Sequence, residues 1–321
     1  MVILGSAPER YLSERMKCNS IGITLRYSER FYKKGRWRFV SPRGIWNTWN
    51  TYYRYKNRNL FMLCASAFTS SDLYYHRAYI GKCYKWGYFP ELLQYNQEDL
   101  MRKKQKENIE ILWCGRLIDW KHPELSIKLA HMLKIEGINF IMNLIGTGDL
   151  ENEIRRLINE YNLNPQVKLL GAMEPDQVRR YMEKADIFLS TSDFEEGWGA
   201  VINEAMNSGC AVVSSHAVGA APYLIKDGIN GMIFQNGNLK SLLSKVLLLV
   251  HDKNLCAMIG RRAYETILHE WNAQEAVRRL LLIIEDLNQY GESNRYLTGP
   301  CSKAELIRNN WYKEPKVVNK I

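Results

Sequence analysis

EEGWGAVINEAMNSGCAVVSS, residues 195–215, opens with two acids, passes two glycines that flank a tryptophan, continues with helical period and ends in a short β-branched run. Directly before it stands the strand-like DIFLSTS (186–192), so the order is strand, glycine-rich exit loop, helix, strand. Two strands joined through a helix are predicted to lie parallel. Glu196 stands at the loop tip, Gly197 and Gly199 leave a path free of side chains, and Glu204 lies a little over one turn inside a helix that starts near Ala200. The two carboxylates therefore flank a helix N-terminus. Exposed amides there suit a phosphate, and Glu204 can accept hydrogen bonds from vicinal hydroxyls. Taken alone, two solvated glutamates around a glycine loop would explain the same letters.

The pattern repeats outward. Strands IEILWCGRL (109–117), NFIMNLIG (139–146), VKLLG (167–171) and CAVVSS (210–215) alternate with helical runs from Pro123, in DLENEIRRLINEYNL and in PDQVRRYMEKA. This βαβ alternation predicts an α/β fold with a doubly wound parallel sheet, whose ligands bind at the carboxyl ends of the strands. At the first such end, in GRLIDWKHPE (115–124), Gly115 permits a tight turn while Arg116 and Lys121 project from the loop. That pair suits a diphosphate, although alone it reads first as two surface cations. At the second, in IGTGD, Gly146 and Gly148 open a helix and allow close approach to its amides. Glu151 stands where a dinucleotide fingerprint needs its last glycine, which argues against a nicotinamide enzyme.

The chain of 321 residues, 46% hydrophobic and 24% charged, is long enough for two cores. It contains no apolar run of membrane-spanning length and no secretory leader at its start, so a cytoplasmic protein is expected. Seven cysteines without a C-x-x-C pair are expected to be reduced and mostly buried. Charge is uneven: residues 1–107 hold 20 Lys+Arg against 8 Asp+Glu, and the remainder 24 against 26. In residues 25–59 the cations interleave with Trp and Tyr, a face for nucleic acid, an anionic membrane surface or a phosphorylated acceptor, or simply a solvated basic surface. Pattern and charge together divide the chain into 1–107, 108–290 and a tail, 291–321, that could pack back on the first domain.

Residues 109–272 resemble the donor-binding domain of the retaining nucleotide-sugar glycosyltransferases of the GT-B fold, the "glycosyltransferases group 1" family. CGRLIDWKH is similar to its phosphate loop, LIGTGDLENEI to its G-x-G loop, EEGWGAVINEAMNSGCAVVSS to its two-glutamate signature, and KDGINGMIF to its later D-G-x-N-G turn. The resemblance implies two Rossmann-like doubly wound domains facing a cleft. It implies that Arg116 and Lys121 neutralise the departing diphosphate, that Glu204 holds the ribose, and that Glu196 holds the transferred sugar. Gly115, Gly146, Gly148, Gly197, Trp198, Gly199 and Ala200 would line the donor, with the backbone of Gly171 and Ala172 at the base. No D-x-D occurs in the chain, which fits catalysis without a metal or other cofactor. A uridine diphosphate sugar is the favoured donor. A sugar or lipid-linked saccharide of surface polysaccharide or glycoconjugate synthesis is the expected acceptor, with peripheral contact on the inner membrane face.

The first third departs from the family. Arg26, in IGITLRYSER, stands where a histidine near the sugar is usual, and there it would bind a phosphate or carboxylate on the acceptor side or serve the structure. Trp86 stands before Gly87 in place of an asparagine. An initial strand and glycine loop have no candidate, so the N-terminal domain is expected to be incomplete by roughly half a domain. A catalytically silent nucleotide-sugar binder is the alternative this leaves. A nucleic-acid module would explain the basic third but not the donor loops, and no nucleic-acid partner is expected.

Overall fold

Short apolar strands joined through helices favour parallel pairing, and both sheets of the protein are built that way. The computed structural model describes residues 1–5, 9–18, 22–35, 41–104 and 106–314. Residues 36–40 of the basic aromatic stretch and 315–321 of the tail lie outside the described residues. The chain forms two units, Met1–Phe89 with Glu270–Asn309, and Pro90–His269 with the chain from Asn310 onward.

The first unit runs β1 (Val2–Leu4), α1 (Glu9–Lys17), β2 (Thr24–Ser28), α2 (Pro42–Thr48), a π-helical turn (Trp49–Tyr53), β3 (Leu60–Cys64), α3 (Thr69–Tyr75) and β4 (Cys83–Lys85). The four strands pair in parallel in chain order. Alternation along β3 shows how both faces are used. Leu60, Met62 and Cys64 pack with Leu12, Met16 and Leu73 of α1 and α3, while Phe61 and Leu63 face the other way.

The second unit continues with α4 (Gln97–Arg102), β5 (Ile109–Cys114), a 3-10 turn (Asp119–Lys121), α5 (Pro123–Ile135), β6 (Phe140–Ile145), α6 (Glu151–Glu160) and β7 (Val167–Leu169). It goes on through α7 (Pro175–Lys184), β8 (Ile187–Ser190), α8 (Val201–Asn207), β9 (Ala211–Ser215), α9 (Ala221–Leu224), β10 (Met232–Phe234), α10 (Leu239–His251) and α11 (Lys253–His269). The sheet order is β10-β9-β8-β5-β6-β7, all parallel. From β5 the chain winds first toward β7 and then, through β8, toward β10. The order thus reverses between β5 and β8, and a crevice opens at the carboxyl ends of strands at such a reversal.

The unit boundaries differ from those expected at 107/108 and 290/291. α12 (Ala273–Tyr290) belongs to the first unit, where Leu280, Ile283 and Leu287, one stripe at helical spacing, cover Leu25, Phe61, Leu63 and Tyr84 of the sheet. Without that cover one face of the first sheet would be bare. At the other boundary, Leu100 and Met101 of α4 pack on Tyr264 of α11, which draws the charged connector into the second unit. The tail divides likewise: residues to Asn309 go with the first unit, while Trp311 Nε1 donates to His216 O at 3.0 Å and Tyr312 Oη to Ile233 O at 2.7 Å in the second. Five of the seven cysteines are buried and none is bonded, but Cys18 is exposed at the end of α1. Among the described residues no helix is long and apolar enough to cross a membrane.

Candidate functional site

The exits of β5 and β6 hold each other backbone to backbone. Gly115 N donates to Ile145 O at 3.0 Å, Leu117 N to Thr147 O at 2.9 Å, and Leu150 N to Leu117 O at 2.9 Å. A Cβ on Gly146 would lie 1.8 Å from Gly115 O, and one on Gly148 2.4 Å from Leu117 O. Neither approach is sterically open to carbon, so the neighbouring loop itself demands these two glycines. No ligand is needed to explain them. Gly171 makes a left-handed turn after β7 (φ 73°), and its carbonyl accepts from Gly146 N at 2.7 Å; Ala172 follows it at the surface.

The loops leaving β5 and β8, on either side of the reversal, carry Arg116, Lys121 and Glu196. Lys121 Nζ donates to Glu196 Oε2, and Ser192 Oγ donates to the same oxygen at 3.1 Å. Both partners of this ion pair are largely buried. Thr191 Oγ1 fixes the β5 loop by donating to Lys121 O at 2.7 Å, and it accepts from the buried Trp113 Nε1 at 2.9 Å. Arg116 is exposed, and no carboxylate pairs with it among the described residues. Its guanidinium lies 5.7 Å from the centre of the Trp120 ring and Lys121 Nζ 4.8 Å from the same centre, so one indole gathers both cations.

His122, which the sequence reading passed over, is a second tie between these loops. It caps α5 in the left-handed conformation (φ 49°, ψ 52°), a strained place for a residue with a Cβ. Its ring bridges Glu124 Oε1 at 3.0 Å from Nδ1 and Asp193 Oδ2 at 3.4 Å from Nε2. Hydrogen bonding to Asp193 and then to Glu124 raises the imidazole from the ordinary 6.5 to about 10, so the ring is a cation at neutral pH. Asp193 N also donates to Trp120 O at 3.0 Å.

Glu204 lies in the first turn of α8. Its carboxylate is half-buried and takes no hydrogen bond among the described residues; burial raises its pKa above the ordinary 4.5, against the pull of Arg179. The Cys114 thiol, at the end of β5, is pushed up to about 12 by burial and then by Glu204, with Lys121 opposing. Thiol, carboxylate and ammonium thus share one neighbourhood. Between the glutamates, Gly199 has φ 88°, and a Cβ there would meet Val218 Cγ1 at 2.8 Å. Gly197 is buried, and Ala200 leads into the helix. Trp198 corrects an expectation: it is fully buried, its Nε1 donating to Asn203 Oδ1 at 2.8 Å, and it offers a donor no surface.

Arg26 departs from an acceptor-side role as well. It is buried on β2, where Nη1 donates to Thr51 O at 2.6 Å and Nη2 to Glu9 Oε1 at 2.9 Å, with the guanidinium 5.3 Å from the centre of the Tyr52 ring. The first unit consumes this charge internally.

The family description "Glycosyl transferases group 1" matches residues 96–266, just over half of the chain. The chain is 31% identical over 192 residues to the amylovoran biosynthesis glycosyltransferase AmsK of Erwinia amylovora, covering 58% of this chain and 47% of that one. It is 28% identical over 185 residues to the putative colanic acid biosynthesis glycosyltransferase WcaL of Escherichia coli, covering 56% and 45%. It thus spans about half the length of these curated relatives. Among solved structures, a mutant of S. aureus TarM in complex with fondaparinux, alpha-GlcNAc-glycerol and UDP superposes with a TM-score of 0.64 at 18% identity, over 88% of this chain and 55% of that one. Anabaena HepE in complex with UDP superposes at 0.62 and 18% identity, over 89% and 76%. The shared fold of these neighbours is GT-B, an α/β fold with two Rossmann-like parallel-sheet domains.

Proposed function

Because the chain belongs to the glycosyl transferases group 1, we propose that its second unit binds a nucleoside-diphosphate sugar and that the chain transfers the sugar, with retention, to an acceptor hydroxyl. The observation that carries this reading is Glu204. A half-buried carboxylate that accepts no hydrogen bond among the described residues is destabilised when ionised, and carboxylates perturbed in this way cluster at ligand sites. Vicinal ribose hydroxyls would supply the missing donors. Arg116, exposed and without a carboxylate partner among the described residues, and Lys121 beside it would receive the diphosphate, and Glu196, released from Lys121, would take the hydroxyls of the transferred sugar. The backbone at Gly171 and Ala172 would meet the base.

In transfer the anomeric C–O bond to the diphosphate breaks while the acceptor oxygen bonds to the same carbon from the same face, and the acceptor proton passes to the departing phosphate oxygen. Cations fixed at the leaving group stabilise the charge that develops there, a role that needs no metal. Uridine diphosphate is the first nucleotide to test, since the HepE and TarM structures hold it. A sugar or lipid-linked saccharide acceptor in surface polysaccharide synthesis agrees with the names of the relatives.

A transfer assay with UDP-sugars tests the chemistry. A chelator should leave the rate unchanged, and Arg116→Gln should lower kcat more than donor affinity. Activity abolished by EDTA and restored by Mn²⁺ would contradict the role given to the cations. Nucleotide binding without turnover would leave only the binding half of the proposal standing.

A further inference from the structure

In the free protein the ion pair between Lys121 and Glu196 ties the exit loops of β5 and β8 together. A diphosphate received at Arg116 and Lys121 would draw the ammonium away from Glu196 and dissolve that tie. Other ties between the loops remain. Asp193 N donates to Trp120 O at 3.0 Å, and Thr191 Oγ1 donates to Lys121 O at 2.7 Å. Between side chains, the His122 ring lies 3.4 Å from Asp193 Oδ2 through Nε2 and 3.0 Å from Glu124 Oε1 through Nδ1.

Asp193 is the residue on which the β8 loop turns. Its Oδ1 accepts from Glu195 N at 2.8 Å, and its carbonyl accepts from Glu196 N at 3.1 Å. Whatever fixes the Asp193 carboxylate therefore fixes the backbone that carries Glu196. On the other loop, His122 follows Lys121 directly and closes the 3-10 turn, its N donating to Asp119 O at 3.0 Å. The left-handed backbone there (φ 49°) would suit glycine or asparagine with less strain, so the turn itself gains nothing from an imidazole. The side chain is what the position uses. Charge points the same way. The β8 loop carries Asp193, Glu195 and Glu196, and a bound diphosphate adds negative charge beside it just as Glu196 loses its ammonium. Repulsion would push the loop outward, and the imidazolium bonded to Asp193 opposes that.

We propose that His122 is a positioning residue for sugar transfer: through Asp193 it keeps the β8 loop, and with it Glu196, against the β5 loop once the diphosphate has taken Lys121. The inference rests on the donor-binding reading of the same site, and it adds the group that holds the sugar-binding carboxylate in place during transfer.

Hydrogen exchange at the amides of Glu195 and Glu196, measured on the whole chain with and without UDP, tests it. The variant is His122→Asn. Asparagine accepts the left-handed backbone, and its amide stands at the level of Nδ1, so it reaches Glu124 but falls short of Asp193. Without UDP the wild type and the variant should protect the two amides alike, because Lys121 still holds Glu196. With saturating UDP the wild type should keep that protection and the variant should exchange about tenfold faster or more, while its UDP affinity stays within about threefold of the wild type. His122→Gly, which removes the ring altogether, should behave in the same way, and it carries the test if the asparagine variant misfolds. Equal protection of the wild type and the variant with UDP bound would overturn the role of His122 and leave the nucleotide reading standing. Exchange raised equally with and without UDP would also overturn it, making His122 a residue of the fold alone. A wild-type chain that binds no UDP would remove the donor-binding reading, and this inference with it.

Discussion

Arg26 in the middle of β2 of the first unit and Arg116 just past β5 of the second are both arginines of a parallel-strand segment, and they differ in what remains for them to bind. Arg26 is buried and spent on Thr51 O and Glu9, whereas Arg116 is exposed, with the Trp120 ring beside it and no carboxylate pairing with it among the described residues. The carboxylates repeat the contrast. Asp72, buried in the first unit, lies 3.5 Å from the Arg30 guanidinium and accepts from Phe31 N and Tyr32 N, both at 3.2 Å. Glu204, half-buried in the second, accepts nothing among the described residues. A polar group that the chain already satisfies serves the fold, whereas a half-buried carboxylate with no partner among the described residues is a candidate to meet a ligand.

The comparison can be broken first at the glycines, where the effect should be largest. If Gly146 serves the packing of one loop on the next, Gly146→Ala should cost more than about 4 kcal/mol or prevent folding, because no relaxation short of moving the β5 exit clears Gly115 O. The Cβ of Gly115→Ala would meet the edge of the Trp113 ring at 3.3 Å and Lys121 Cδ at 3.7 Å, and the substitution should cost about 1 kcal/mol. Denaturant unfolding of both variants measures the difference; equal small losses would move Gly146 from the packing side of the contrast.

The two arginines sharpen it next, with opposite expected signatures. Arg26→Gln should lose about 2–3 kcal/mol of stability, as charged hydrogen bonds do when one partner goes, with nucleotide affinity unchanged. Arg116→Gln should stay within about 0.5 kcal/mol of the wild type in stability and bind diphosphate more weakly. A nucleotide-binding defect in the Arg26 variant would restore it as a site residue.

The smallest effect concerns His122. Its pKa in the fold, about 10, lies above the ordinary 6.5, so its bridge contributes fully below pH 6.5 and is lost as pH rises toward 10. The stability gap between wild type and His122→Gln should therefore shrink between pH 6.5 and 10. A gap that stays constant across this range would mean that the imidazole is neutral.

Much of the second unit was legible because its strands and helices carry distinct periods, and the expected strand at 186–192 and helix from Ala200 appear as β8 and α8. The allegiance of α12 was not. An apolar stripe through Leu280, Ile283 and Leu287 says that a helix is covered on one side, not by which sheet. The glycines are ambiguous in a different way. Absence of a Cβ looks the same whether a phosphate or a neighbouring carbonyl comes close, and at Gly146 and Gly148 a carbonyl stands where the Cβ would be. The resemblance placed Trp198 along the donor, whereas its indole completes a buried contact to Asn203. His122 left no trace, because a lone histidine before a proline has no period and its partner Asp193 is 71 positions away.

The central claim is that Glu204 is held without partners for the ribose of a nucleotide, and calorimetric titration of UDP into wild type and Glu204→Gln tests it most directly. Burial raises the Glu204 pKa above 4.5, so its ionised form costs stability as pH rises beyond that value, and the Gln variant should be the more stable protein at neutral pH. The same variant should bind UDP at least about tenfold more weakly, since a neutral acceptor replaces a charged one in bonds of about 1.5–3 kcal/mol. A more stable protein with weaker UDP binding is the predicted result. Equal UDP affinity in the two proteins would contradict it.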